Sequence, residues 1–493
     1  MTAGSPLRPS GGYSGYLARA ARRWPDHVGL RFEDQTWTYR ALNDAADAAA
    51  SRLAGAGIAA GTRVLMLLEN GPEYLIGQFA LARLGAVFVT PNPYWTDREI
   101  ANAVRASQAS AAIFAPRFAA VVADLRVAVP AGGLLAAHHQ RHCTGRVINW
   151  DAPLYIPFSS GTTGLPKGVI HTTASLCGGV EQLRRHLGLS ASDRLQIALP
   201  LCHIFGATMV AAAMSVGAEV TLFRRFDLEE SLRHIKQGAV TVWPMAGTVA
   251  RRLAECDDLH PDDFASLRFF IWGGSAVPVV LARELTARTG VGFLCSYGMT
   301  EAMMVAFNPV DRPDQWRLDS PGYATEGTEL RINHLGELEV RGPSVARGYA
   351  GVSSAAFGDD GWFATGDLAA IASDGRLTIV ERAKDMLKVA GFQVSPVEVE
   401  QELSAHPDVA EAAVVGRPDD RTGEAVVAFV VRTDPALSAE HLDSWLCDRL
   451  ASYKRPRDYR FIESLPRTVG GKVRRGDLRT VVDPKPGSQP NSS

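Results

Sequence analysis

In the first half of the chain, segments with apolar residues at helical spacing alternate with short apolar runs of strand length. WTYRALNDAADAAASRLAGAGI, from Trp37, precedes RVLMLL; EYLIGQFALARLG precedes AVFVT; EIANAVRASQAS precedes AAIFA; ATMVAAAMSVG precedes AEVTLF. A helix followed by a strand short and apolar enough to be covered on both faces is the unit of layered α/β folds with largely parallel sheets. The 493 residues exceed the roughly 250–300 at which a single core stops growing, so two or three domains are expected.

The texture changes near residue 320. ELRIN, GELEVRG and GRLTIV are short strand-like runs separated by Gly, Asp and Asn, which reads as a β-rich subdomain over about 320–381. Beyond Arg382, VEVEQELSAHPDVAEAAVVGRPD reads as helix then strand, AVVAFVV as strand and LDSWLCDRLASYK as helix, a small α+β unit. The expected architecture is a large N-terminal domain, residues 1–381, and a small C-terminal domain, residues 382–486, with the boundary at Glu381 to Asp385. Residues 487–493 close a Pro/Ser-rich tail, DPKPGSQPNSS, that reads as disordered.

Composition excludes several functions. A net charge of −2 and a pI of about 6.6 provide no basic field to hold nucleic acid or an anionic membrane. The N-terminus lacks the apolar core of a signal peptide and no stretch approaches the ~18 apolar residues of a membrane span, so a cytoplasmic protein is expected. The six cysteines, Cys143, Cys177, Cys202, Cys256, Cys295 and Cys447, form no C-x-x-C pair and no zinc spacing, and read as reduced thiols.

The stretch SSGTTGLPKG, Ser159 to Gly168, follows the apolar run Tyr155-Ile-Pro-Phe158. A Gly/Thr loop can turn backbone N–H groups and hydroxyls inward, and with Lys167 it suits a polyphosphate; the same composition also makes surface linkers that hold nothing. Its spacing, Gly161-x-x-Gly164-x-x-Lys167-Gly168, is not that of the P-loop NTPases. Further segments bear on the choice: CSYGMTE (Cys295 to Glu301), GWFATGD (Gly361 to Asp367), ERAKDMLKVAGFQVSPVEVE across the boundary, and LPRTVGGKVRR around Lys472. Their residue types suit a nucleotide. Tyr297 has a face for adenine, Asp367 can accept both ribose hydroxyls, Glu301 can hold Mg2+ and the lysines can meet phosphate.

Together with LPLCHIFG (Leu199 to Gly206) and GGSAVP (Gly273 to Pro278), these segments, in this order and over nearly the whole chain, resemble the adenylate-forming superfamily. That group holds acyl-CoA synthetases, aryl- and coumarate-CoA ligases, peptide-synthetase adenylation domains and beetle luciferases. The resemblance implies ATP-dependent activation of a carboxylic acid to acyl-AMP, then transfer to CoA, with ATP, Mg2+ and CoA as cofactors. It places Ser160, Gly161, Thr162, Thr163, Gly164 and Lys167 at the ATP phosphates, Gly273, Gly274 and Ser275 along the adenine edge, and Tyr297 stacked on the base beside Ser296, Gly298 and Met299. Thr300 would bond the α-phosphate, Glu301 and Thr163 would hold Mg2+, and Asp367 and Arg382 would fix the ribose. A carboxylate attacking a polyanion needs neutralising charge, which Lys472 would supply, and Lys388 and Gln393 would assist. The small domain would then swing about Lys384, withdrawing Lys472 and bringing Gly391 and Phe392 to the CoA tunnel.

The acid is read from the expected lining. LCHIFG carries none of the acidic residues that amino-acid-activating members use to bind an ammonium group. His203, Phe205, Ala207, Trp243, Ala246, Ser296, Met299, Met303 and Met304 make a mostly apolar pocket, which favours a hydrophobic aryl, cyclic or aliphatic acid. Ser296 stands where the family commonly has Gly. Two other readings stay open: a free-standing adenylase that loads an acyl-carrier protein, and a non-catalytic nucleotide-binding member. A monomer or homodimer is expected.

Overall fold

The computed structural model describes residues 7–135, 148–159, 166–245, 247–274, 277, 279–382, 385–389, 392–419, 421–467 and 473–482. The chain divides into two compact units: Met1–Ala276, Glu284–Leu330 and Glu339–Ala364 form the first, and Val277–Arg283, Arg331–Leu338 and Thr365–Ser493 the second.

The expected alternation is present in the first unit. Helices Tyr39–Gly55, Pro72–Leu84, Asp97–Ser107 and Ile204–Val216 precede strands Arg63–Leu67, Val87–Thr90, Ala111–Phe114 and Glu219–Leu222. The first helix starts later than its pattern suggests. Trp37 lies in the strand Gln35–Thr38, and Thr38 caps the helix by accepting from Ala41 N, an exchange that satisfies a backbone donor with no helical partner.

Two sheets result. One has seven strands, in the order Gly348–Tyr349, Lys167–Thr172, Pro153–Ser159, Val87–Thr90, Arg63–Leu67, Ala111–Phe114 and Val127–Pro130. The other has nine, running from Tyr323–Ala324 through Phe293–Tyr297, Phe269–Trp272 and Val242–Met245 to Gln35–Thr38. Pairing is parallel through the middle of each and antiparallel toward the ends that carry Gly348–Tyr349 and Tyr323–Ala324. The helix Ile204–Val216 is apolar on every side and buried along almost its whole length, as a helix enclosed by other layers must be. With Thr173–His186 it contributes to the main hydrophobic core.

The β-rich region forms a four-stranded sheet in the order Glu329–Ile332, Glu337–Arg341, Phe363–Ile371 and Leu377–Arg382. In the second unit, Phe392–Val394, Leu387–Val389, Gly423–Arg432 and Val409–Asp419 form a sheet that Asp458–Phe461 joins beside Gly423–Arg432. The last helix expected from LDSWLCDRLASYK stops at Cys447. Beyond it Lys454 turns back to Glu398 at 2.6 Å, and Pro456 bars further helix. Lys384 and residues 487–493 lie outside the described residues. No helix among the described residues is long and apolar enough to cross a membrane.

Candidate active site

In open α/β sheets ligands bind beyond the carboxyl ends of the strands. Phe269–Trp272 and Phe293–Tyr297 are parallel neighbours, with Trp272 opposite Cys295, so GG of GGSAVP and YGMTE leave the sheet side by side. Ser296 ties them together, its hydroxyl donating to the Trp272 carbonyl at 2.9 Å. A Cβ on Gly273 would lie 2.7 Å from that hydroxyl and 3.5 Å from the Phe205 ring. Three residues expected at the site, from three separate segments, thus meet with no space left for a side chain at Gly273.

Tyr297 is half-buried at the strand end, and the chain turns back at once. Val305 N donates to the Tyr297 carbonyl at 3.1 Å and Met299 N to the Ala302 carbonyl at 2.9 Å. A Cβ on Gly298 would be 2.1 Å from the Met303 carbonyl oxygen, so this turn requires glycine.

Two side chains fix the turn to the strand Lys167–Thr172. His171, fully buried, bonds the Thr300 carbonyl through Nε2 at 2.7 Å, with Ser175 Oγ at 3.2 Å from Nδ1. A carbonyl carries no proton, so Nε2 donates; burial holds the pKa down at about 4, which keeps the ring neutral near pH 7. Tyr349 donates its hydroxyl to Glu301 Oε1 at 2.9 Å, and the Lys167 ammonium lies 5.0 Å from the centre of the Tyr349 ring. Backbone bonds hold the same arrangement, from Ala346 N to the Glu301 carbonyl and from Ala350 N to the Gly168 carbonyl, both at 2.8 Å.

Among the described residues, no group of three or more His, Cys, Asp or Glu forms a metal cage. Mg2+ does not need one, being held through one or two carboxylates together with substrate phosphates and waters. The Glu301 carboxylate, bonded by a phenol whose ring also faces Lys167, is an oxygen donor of that kind.

In the second unit, strand register pairs residues the sequence keeps apart. Asp367 stands opposite Arg382, and Asp367 is buried. Lys388 stands opposite Gln393 across a hairpin whose next pair is Val389 and Phe392. Lys388 is exposed, its backbone N–H donating to Glu424 at 2.6 Å. Phe392 is exposed and stacked on Tyr453 at 4.6 Å.

The expected acyl lining separates into groups. Phe205 meets Gly273, while His203 precedes and Ala207 lies within the same helix. Met303 is in the main core, its sulfur accepting from Thr208 at 3.7 Å, and Met304 joins it there. Trp243 packs on Phe270 at 5.8 Å, its strand partner. Ser160, Gly161, Thr162, Thr163, Gly164, Ala246, Ser275, Gly391 and Lys472 lie outside the described residues.

Asn70, Tyr74 and Thr90 escaped sequence reasoning. Asn70 donates to the Leu199 and Phe223 carbonyls at 3.0 Å each and accepts from Leu201 N at 2.8 Å. The Tyr74 hydroxyl donates to the Leu201 carbonyl at 2.8 Å and that of Thr90 to the Cys202 carbonyl at 3.2 Å. They hold PLCH in place ahead of His203, and their only sequence signal is polarity at the ends of apolar runs.

Comparison with known proteins identifies the family. The family model described as AMP-binding enzyme matches residues 17–350, and that described as AMP-binding enzyme C-terminal domain matches 398–472. A feruloyl-CoA synthase of Amycolatopsis sp is 34% identical over 95% of this chain and 98% of its own length. An indoleacetate–CoA ligase of Aromatoleum aromaticum is 33% identical over the same shares. The o-succinylbenzoate-CoA synthetase MenE of Bacillus subtilis, solved with ATP and magnesium, superposes with a TM-score of 0.85 at 29% identity, over 94% of this chain and 98% of its own. The same enzyme solved with its acyl-adenylate OSB-AMP gives a TM-score of 0.86 over 94% and 97%.

Proposed function

The chain belongs to the AMP-binding enzyme family, and from that premise we propose that it converts a hydrophobic carboxylic acid to its CoA thioester through the residues described above. It is an AMP-forming acid–thiol ligase, whose relatives include CoA ligases for aryl acids and a structure holding an acyl-adenylate. ATP, Mg2+ and CoA are its cofactors, with the acid and CoA as partners. The observation that carries the site assignment is the Ser296 bond to the Trp272 carbonyl, which sets the adenine-edge glycines and the Tyr297–Glu301 turn side by side.

In the first step a carboxylate oxygen attacks the α-phosphorus of ATP, the bond to the bridging oxygen breaks and pyrophosphate leaves. Tyr297 and Gly273 hold the base, Asp367 and Arg382 the ribose, and Thr300 the α-phosphate, while Lys167, Lys388, Gln393 and Lys472 offset and position the charge that crowds together. Mg2+, when bound, supplies further neutralisation at the phosphates. In the second step the CoA thiolate attacks the acyl carbon, a C–S bond forms and AMP departs, with Gly391 and Phe392 at the thiol's approach. Rotation about Lys384, within the boundary stretch Glu381 to Asp385, lets one nucleotide site serve both steps. The apolar residues Phe205 and Ala207 support a hydrophobic acid, and the free thiols among the described cysteines suit a reducing, cytoplasmic location.

A panel of acids assayed by pyrophosphate release, then by thioester formation with CoA, tests the reading. Aryl or other hydrophobic acids are expected to lead. Preference for succinate or an α-amino acid would overturn the pocket assignment, and acyl-AMP that free CoA never consumes would transfer the second step to a carrier protein.

A further inference from the structure

Tyr349 belongs to none of the motifs above, lying within RGYAG between Gly348 and Ala350. Its two-residue strand pairs antiparallel with Lys167–Thr172, Tyr349 opposite Val169, the strand that begins at Lys167 of the Gly/Thr loop. A side chain there reaches both that loop's lysine and the YGMTE turn. The ring face takes the Lys167 ammonium at 5.0 Å, and the hydroxyl gives its proton to Glu301 Oε1 at 2.9 Å.

Lys167 and Glu301 carry opposite charge. If they joined in a direct ion pair, each would lose what its task needs, the lysine its charge for phosphate and the carboxylate its lone pairs for a cation. A phenol offers a way round this. Its ring attracts a cation through its quadrupole without neutralising it, and its O–H occupies one carboxylate oxygen while leaving the group anionic.

We infer that Tyr349 is a positioning residue for the first half-reaction: its hydroxyl orients Glu301 toward Mg2+ and its ring holds Lys167 available to the ATP phosphates. This rests on the reading that Glu301 is the metal carboxylate, and the test is built to separate the two. Tyr349→Phe keeps the ring and removes the hydroxyl; Tyr349→Ala removes both; Glu301→Gln probes the underlying reading. Each is measured by Mn2+ binding in the presence of ATP, followed by electron paramagnetic resonance, and by the Mg2+ dependence of ATP–pyrophosphate exchange. Thioester formation from supplied acyl-AMP and a melting curve accompany both.

Loss of one hydrogen bond to a charged group corresponds to roughly a tenfold change. Tyr349→Phe is therefore expected to weaken Mn2+ binding and raise the Mg2+ requirement about tenfold, keeping most of the exchange rate at saturating Mg2+ and all of the thioester step. Tyr349→Ala is expected to raise the KM for ATP as well. Unchanged metal dependence in Tyr349→Phe, where Glu301→Gln alters it, overturns the inference; unchanged dependence in both overturns the assignment of Glu301. A lowered melting temperature with equal loss in both half-reactions reduces Tyr349 to a structural role and also overturns it.

Discussion

His171 is fully buried, yet a histidine in water titrates near neutrality, and that conflict has a measurable consequence. Burial lowers its folded pKa from 6.5 to about 4, so the folded ring stays neutral where the unfolded one has taken a proton. Below about pH 6.5 the unfolded state binds more protons, so stability falls as the pH drops from 6.5 towards 4; above 6.5 this contribution is constant. At about pH 4.5 the loss is on the order of 2–3 kcal/mol. His171→Asn lacks the titrating ring. It is expected to be less stable than the parent near pH 7.5, having lost a good hydrogen bond to Thr300, and to recover most of that deficit near pH 4.5. Urea unfolding at both pH values checks this, and parallel stability profiles for the two proteins would sink it.

At the scale of elements, the helix Arg475–Val482 begins three residues after Lys472 and is held at two points. Arg475 makes a bidentate contact with Glu400, its Nη2 at 2.8 and 2.7 Å from the two oxygens, and Arg479 reaches Asp385 at 3.0 Å. Glu400 also accepts from Val414 N at 2.7 Å, so truncating it strands a guanidinium and an amide together. Glu400→Ala is expected to destabilise the protein by about 2–3 kcal/mol, and to depress acyl-AMP formation more than thioester formation from supplied acyl-AMP. Chemical denaturation and the two partial reactions, run side by side, give the comparison; equal loss in both would detach this helix from the placement of Lys472. Elements of this kind differ in how far the sequence discloses them. The pairs of helix and buried strand were readable because both periodicities are local, and the motif glycines because turns are local too. Asp367 suits a ribose by its residue type, Arg382 is assigned only through the family resemblance, and the register that faces them is a property of the folded sheet. Tyr349 acts on Glu301, 48 residues distant, and Asn70 and His171 on partners more than a hundred residues distant, and no periodicity encodes such contacts. For the expected lining, apolar character alone does not say which face of a strand a residue takes, and Trp243 packs at a tilt on Phe270.

For the molecule as a whole, the proposed mechanism gives one nucleotide site two successive sets of partners from the C-terminal region. In that proposal Lys472 would serve only while a carboxylate meets a phosphate, and Gly391 only while pantetheine approaches. Lys472→Ala should therefore retain thioester formation from supplied acyl-AMP, and Gly391→Leu should retain acid-dependent ATP–pyrophosphate exchange while a bulky side chain obstructs the thiol. Each variant then carries the half the other lacks, and acyl-AMP is the only species that must pass between them. Mixing the two with ATP, acid and CoA is expected to yield acyl-CoA above the sum of the separate variants, rising with total protein because the intermediate has to leave one molecule and find another. Adding excess AMP should lower that yield by competing for the second site, and chromatographic measurement of the thioester would follow both trends. If each variant performs its own half-reaction but the mixture never exceeds the sum, acyl-AMP does not exchange between molecules. If both variants lose both halves while their melting curves remain those of the parent, the two residues act in a single arrangement and the alternation about Lys384 fails.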